Sequence, residues 1–173
     1  MTFSNRKITK GSAADRCKLV CSADVWLGGI DELRRRTEGY HESGAFLLGV
    51  REGGLRRIVK FAYYDDLDPH SLDHGIVIFD GSGYGPLWEM CRREGLTVVA
   101  DIHVHPGRAW QSESDRTNPM IARKGHIALI APDFAEGNCM PYELGLYEYE
   151  GDYRWTYRSG TAAEEFFYVG DLE

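Results

Sequence analysis

The sequence predicts an α/β fold, a mixed β-sheet flanked by helices, and two patterns point to it. Short apolar runs at 44–51 (GAFLLGVR), 97–104 (TVVADIHV) and 126–131 (HIALIA) have the length and residue types of buried strands. Between and before them, apolar residues recur at helical spacing: Trp26, Ile30 and Leu33 at i, i+4 and i+7, and Leu87, Met90 and Cys91 further on.

Taken in order, residues 1–14 are polar and rich in Ser, Lys and Thr, and they predict a flexible N-terminal arm. Residues 15–173 are then expected to form a single domain, a size sufficient for one hydrophobic core. Lys18 to Cys21 reads as a short strand. A helix should follow from about Asp24, with Arg34, Arg35, Arg36 and Glu38 as its solvated end and Gly28-Gly29 as a weak point. Gly44 to Arg51 and Leu55 to Tyr64 form a hairpin around Glu52-Gly53-Gly54. The acidic stretch Asp65 to His74 should be a loop, and Gly75 to Asp80 a strand or a helix entry. Tyr84 to Arg93 is the second helix, stopped by Gly95. The strand Thr97 to Val104 is broken by Pro106-Gly107, and a short helix starts near Ser112. Strand 126–131 and a hairpin turning at Gly151-Asp152 follow, with a last apolar patch at Phe166 to Val169.

Composition narrows the function. The net charge is −7, which argues against nucleic acid as a partner, because phosphate binding needs clustered Lys and Arg. No apolar run reaches the roughly 20 residues that cross a bilayer, and residues 1–24 hold no apolar core of signal-peptide length. No membrane association and a cytoplasmic location are therefore expected. The cysteines Cys17, Cys21, Cys91 and Cys139 show no paired metal-site spacing and suit a reducing compartment.

The chemistry concentrates in residues 101–115. On a strand, His103 and His105 project to the same side about 7 Å apart, close enough to chelate one ion. Asp115 can return as a third ligand after the Pro106-Gly107 turn. Two imidazoles and a carboxylate leave the fourth tetrahedral position open, which is the arrangement of a catalytic zinc. On its own, a His-x-His at a strand end is more often a pair of ordinary polar residues than a metal site, and Ser112 to Asp115 reads also as a helix cap. Asp101, on the same strand face, could orient an imidazole or form a salt bridge. His126 could assist or simply end a strand, and Trp110 could line the entrance.

His-x-His-Pro followed by Ser-x-x-Asp resembles the JAMM motif of the MPN/JAB metalloprotease family. The upstream stretch 41–49 (HESGAFLLG), with Glu42, Gly44, Leu47 and Gly49, is similar to the family's glutamate-bearing strand. The segment between Pro106 and Ser112 is one residue shorter than the family's usual spacing. The resemblance covers roughly residues 15–150. It implies an MPN/JAB-like, cytidine-deaminase-like fold and one catalytic Zn2+ held by His103, His105 and Asp115. It also implies Glu42 as general base and Ser112 as the oxyanion's hydrogen-bond donor. The activity implied is that of an isopeptidase or peptidase cutting after the C-terminal Gly of a ubiquitin-like protein. The compact chain is similar to bacterial members that accompany ubiquitin-like conjugation or anti-phage systems, which would add E1-like and E2-like enzymes as partners. A scaffold that binds a partner without catalysis and a RadC-like, DNA-associated protein are the alternatives.

Overall fold

The computed structural model describes residues 13–79 and 81–172. All but the last two residues of the expected N-terminal arm lie outside them; those two open helix α1 (Ala13–Arg16). Among the described residues, eight strands form one mixed sheet: β1 (Leu19–Ser22), β2 (Gly44–Glu52), β3 (Leu55–Tyr63), β4 (Thr97–Val104), β5 (Ile127–Ala131), β6 (Gly145–Gly151), β7 (Arg154–Arg158) and β8 (Phe167–Gly170). Their spatial order is β7-β6-β5-β4-β2-β3-β1-β8. The β2–β3 and β6–β7 hairpins are antiparallel, as is β2 with β4, whereas β4–β5, β1–β3 and β1–β8 are parallel.

Helices cover both faces. The apolar stripe of α2 (Ala23–Thr37) buries Trp26, Ile30 and Leu33 against Leu47, Ile58 and Ile102. On the opposite face α4 (Tyr84–Glu94) buries Leu87 and Cys91 against Phe46, Leu48 and Val98. Helix α2 runs unbroken through Gly28 and Gly29 and is preceded by Ser22, not Asp24, at the N-cap. Packing of its buried stripe outweighs the local cost of two glycines.

Two segments depart from the sequence reading. Residues 75–79 join neither the sheet nor a helix; they run as irregular chain past the start of β2. The acidic stretch expected to be a solvated loop contains a helical turn, α3 (Tyr64–Leu67), whose Tyr64 is fully buried. Its Asp65 and Asp66 receive Arg36 of α2 at 2.6 and 2.9 Å, so part of the basic end of α2 is tied down by ion pairs. The C-terminal apolar patch contributes β8, which extends the sheet beside β1.

The register of β2 against β4 positions the site. Phe46 lies opposite Asp101 and Gly44 opposite His103. Continued past the ladder, with the Val104 amide donating to the Ser43 carbonyl at 2.8 Å, this register brings Glu42 beside His105. Gly44 must be small: a Cβ there would stand 2.4 Å from the Tyr64 ring and 2.8 Å from the Ile102 carbonyl oxygen. Gly44→Ala should therefore destabilise the protein by about 1–3 kcal/mol, read as a lower urea midpoint with unchanged slope.

Candidate metal centre

His103 sits near the end of β4 and His105 just beyond it, both buried on the α4 side of the sheet. The His105 amide donates to the Ala131 carbonyl at 2.9 Å and prolongs the contact with β5. The strand period aims both rings at one point, with their Nε2 atoms 3.0 Å apart. Asp115 closes the triangle, with Oδ1 3.4 Å from His103 Nε2 and Oδ2 3.3 Å from His105 Nε2. Glu42 stands outside it, Oε1 lying 3.8 Å from His105 Nε2.

The structure thus brings His103, His105 and Asp115 together, with Glu42 beside His105 and Ser112 bonded to Asp115. Asp115 lies in α5 (Glu113–Thr117), whose N-cap is Ser112. The Ser112 amide donates to Asp115 Oδ2 at 2.6 Å, and the Asp115 amide donates to Ser112 Oγ at 3.1 Å. This capping box fixes the carboxylate relative to the chain. The second oxygen of Glu42, Oε2, accepts the Val77 amide at 3.1 Å, and the Glu42 amide donates to the Gly75 carbonyl at 3.0 Å.

Electrostatics agree with this geometry. Burial opposes the charged form of Asp115, yet hydrogen bonds to the two imidazoles and the Ser112 amide hold it well below the usual carboxylate range. Burial likewise opposes the charged His103, but the Asp115 carboxylate outweighs it and raises the imidazole.

These three side chains fit a divalent metal of the zinc kind. Two nitrogens and a carboxylate oxygen converge within 4.8 Å of one another. At Zn–N distances of 2.0–2.1 Å, tetrahedral geometry separates two nitrogen ligands by about 3.3 Å, close to the spacing of the imidazoles. Imidazole and carboxylate donors favour zinc over magnesium or calcium. Nδ1 of His103 is buried without a hydrogen-bond partner among the described residues.

Sequence reading missed the groups that hold these residues in place. The segment between Pro106 and Ser112 crosses β6, where Gly145 leaves it room: a Cβ there would lie 2.0 Å from the Ala109 carbonyl oxygen. Tyr147 of β6 anchors it, its hydroxyl accepting the Gln111 amide at 3.1 Å and donating to the Ala109 carbonyl at 3.4 Å. The Trp155 indole of β7 donates to the Arg116 carbonyl at 3.0 Å. Nothing near residue 110 in the sequence signals these contacts. Asp101 does orient an imidazole, but that of His126, at 2.5 Å, while also accepting the Tyr64 hydroxyl at 3.3 Å. Trp110 is exposed, with the Arg108 guanidinium 5.0 Å from its ring.

Comparison with known proteins adds to this picture. No family model matches the chain. A 43-residue stretch is 42 % identical to a Sinorhizobium fredii protein named "Probable metalloprotease y4jG". That match covers 25 % of this chain and 26 % of the relative, so the chain spans about a quarter of that protein's length. Two solution structures share the fold. Protein DSY2949 from Desulfitobacterium hafniense aligns with a TM-score of 0.61 at 17 % identity, over 90 % of this chain and 95 % of its own. A protein from Salinibacter ruber aligns with a TM-score of 0.51 at 20 % identity, over 81 % and 88 %.

The centre should bind one divalent metal ion per chain, and His103→Ala, His105→Ala or Asp115→Ala should each abolish stoichiometric metal in elemental analysis. Metal binding requires a neutral His103, so affinity should weaken as pH falls through the imidazole range, with proton release on binding seen by calorimetry in buffers of different ionisation enthalpy. Without metal, the raised His103 adds stability below its ordinary value of 6.5 and loses it as pH rises. Asp115, held down, adds stability above its ordinary 3.8 and loses it as pH falls. Metal-free protein should accordingly gain most from this pair between about pH 4 and 6.5, and Asp115→Asn should remove that gain from the pH profile of the melting temperature.

Proposed function

We propose that the protein is a JAMM-type zinc metallopeptidase of the MPN/JAB kind, one catalytic domain over residues 15–173. Its substrate would be a ubiquitin-like protein, cut after the C-terminal Gly during deconjugation or precursor processing. The observation that carries this reading is the placement of Glu42. Its position just before β2, far in sequence from β4, brings its carboxylate to 3.8 Å from His105 of the His103–His105–Asp115 triangle, which is where a general base for water attack belongs. The metalloprotease name of the Sinorhizobium fredii relative supports the peptidase class.

Zinc, when bound, would supply Lewis acidity that lowers the pKa of water from 15.7 to about 7. The chain's own residues account for the remaining steps. The Val77 amide holds Oε2 of Glu42, leaving Oε1 on the imidazole side to take the proton of the attacking water. The same carboxyl then returns that proton to the departing amine. Ser112 Oγ already accepts the Asp115 amide, so its own O–H is free to donate to the oxygen on which charge develops.

Support for an extended substrate tail comes from residues 75–79. Ile76 and Ile78 are exposed on the segment whose Gly75 and Val77 backbone groups hold Glu42. An extended peptide can lie along such a segment, its apolar side chains beside the two isoleucines. A bacterial conjugation or anti-phage setting, with E1-like and E2-like partner enzymes, is consistent with this activity.

Cleavage of a ubiquitin-like fusion should fall by about 10²–10⁴ in Glu42→Gln, with zinc content retained. Ser112→Ala should cost about 10²–10³ in turnover. It should also lose about 1 kcal/mol of stability with its helix cap, which thermal melts would separate from the catalytic loss. Equal cleavage by wild type, Glu42→Gln and chelator-treated protein would overturn the proposal.

A further inference from the structure

A second cluster lies at the other end of β4. Arg51 of β2 stands directly opposite Arg56 of β3. Like charges paired across strands destabilise a sheet, so such a pair normally has a counter-ion. Here neither guanidinium has a carboxylate within 4 Å among the described residues. Arg51 donates to the Val98 carbonyl at 3.2 Å, and Arg56 to the carbonyls of Val99 at 3.4 Å and Gly125 at 2.7 Å. Each guanidinium carries five N–H donors, so most remain uncommitted. Elsewhere Arg36, Arg116 and Arg158 each reach a carboxylate at 2.6 to 3.0 Å.

Arg123 adds a third guanidinium, also without a carboxylate partner among the described residues, and Lys124 follows it, 4.0 Å from Glu150. Arg51, Arg123 and Lys124 line a cavity of about 180 Å³ together with Trp88, whose ring is exposed at its rim. Burial and the neighbouring guanidiniums lower the pKa of both Arg51 and Arg56, a sign that positive charges are crowded here. The acid that acts on Arg56 from β6, Glu148, is already bonded to Arg158 at 3.0 Å. In a chain of net charge −7, this concentration of unneutralised arginines is not a by-product of a basic surface.

We infer that this cavity is a binding site for a phosphate-type oxyanion, either the free ion or the terminal group of a small phosphate ester. Planar guanidinium forks match tetrahedral phosphate oxygens; Arg51 and Arg123 with Lys124 line the cavity, Arg56 stands opposite Arg51, and a phosphate would bring the negative charge that the cluster lacks. Trp88 offers a face for a ring carried by the ester. The cavity shares no residue with the His103–His105–Asp115 cluster: its lining residues Thr97 and Val98 open β4, whereas His103 lies near that strand's far end, and its His126 is bonded to Asp101 between the two.

The test is titration at low ionic strength with inorganic phosphate, 5′-AMP and malonate, followed by calorimetry and tryptophan fluorescence. Phosphate should saturate with a Kd below about 1 mM. Arg51→Gln/Arg123→Gln, a change at two exposed positions, should weaken it at least about tenfold without altering the circular dichroism. His103→Ala should bind phosphate as wild type does. Tighter binding of 5′-AMP, quenching Trp88 and lost in Trp88→Phe, would identify an ester; equal affinities would identify the phosphoryl group alone. The inference fails if phosphate does not saturate or if the double variant binds equally. It fails also if His103→Ala abolishes binding or if malonate binds as tightly as phosphate.

Discussion

The register of β2 against β4 is the constraint on which the site depends. Side chains on a strand alternate faces, so a slip of one residue would turn both imidazoles into the core beneath α2. A bulge in β4 adjusts that alternation. Leu47 pairs with Ala100 and Leu48 with Val98, leaving Val99 without a partner. Val98 consequently packs with Phe46 and Leu48 under α4, while Ala100, Ile102 and Val104 join the α2-side core. Without the bulge, Val98 and His103 could not share the α4 side. One unpaired residue thus reconciles an apolar strand start with a strand end that presents two imidazoles to one point, a recurrent use of bulges beside functional sites.

The third ligand depends on a different device. A five-residue helix has little stability of its own, because nucleation is costly and few hydrogen bonds repay it. The reciprocal bonds between Ser112 and Asp115 hold its first turn, and the same Asp115 oxygen that takes the Ser112 amide lies 3.3 Å from His105. Capping and ligand placement are therefore one interaction. It spares the carboxylate the rotamer freedom it would otherwise lose on meeting a metal.

The sequence made the local part of this arrangement legible. Strands β2, β4 and β5 and the two hairpins follow from period and composition, whereas spacing made His103, His105 and Asp115 only one candidate ligand set, which the family resemblance singled out. Glu42 was legible only through resemblance, because its proximity to His105 is a property of strand pairing. The same holds for β8, a parallel neighbour of β1 from the far end of the chain, and for Asp101, whose choice of His126 depends on β4 lying beside β5. Residues 65–67 read as a solvated acidic loop because the sequence does not show that Arg36 of α2 lies against them. Each of these features is set by contacts between segments far apart along the chain.

This division explains why the ligand-bearing segment 106–117 needs the last hairpin. Its own sequence supplies a Pro-Gly break, a cap and one turn of helix, too little to fix a carboxylate to within an ångström. Tyr147 and Trp155, from strands β6 and β7, bond its backbone at Ala109, Gln111 and Arg116, and Gly145 allows that backbone to lie close against the sheet. This short segment can thus deliver Asp115, because its path is set by the sheet beneath it. The hairpin contributes no ligand, yet it carries the geometry of one, so the metal centre extends across the sheet from β2 to β7.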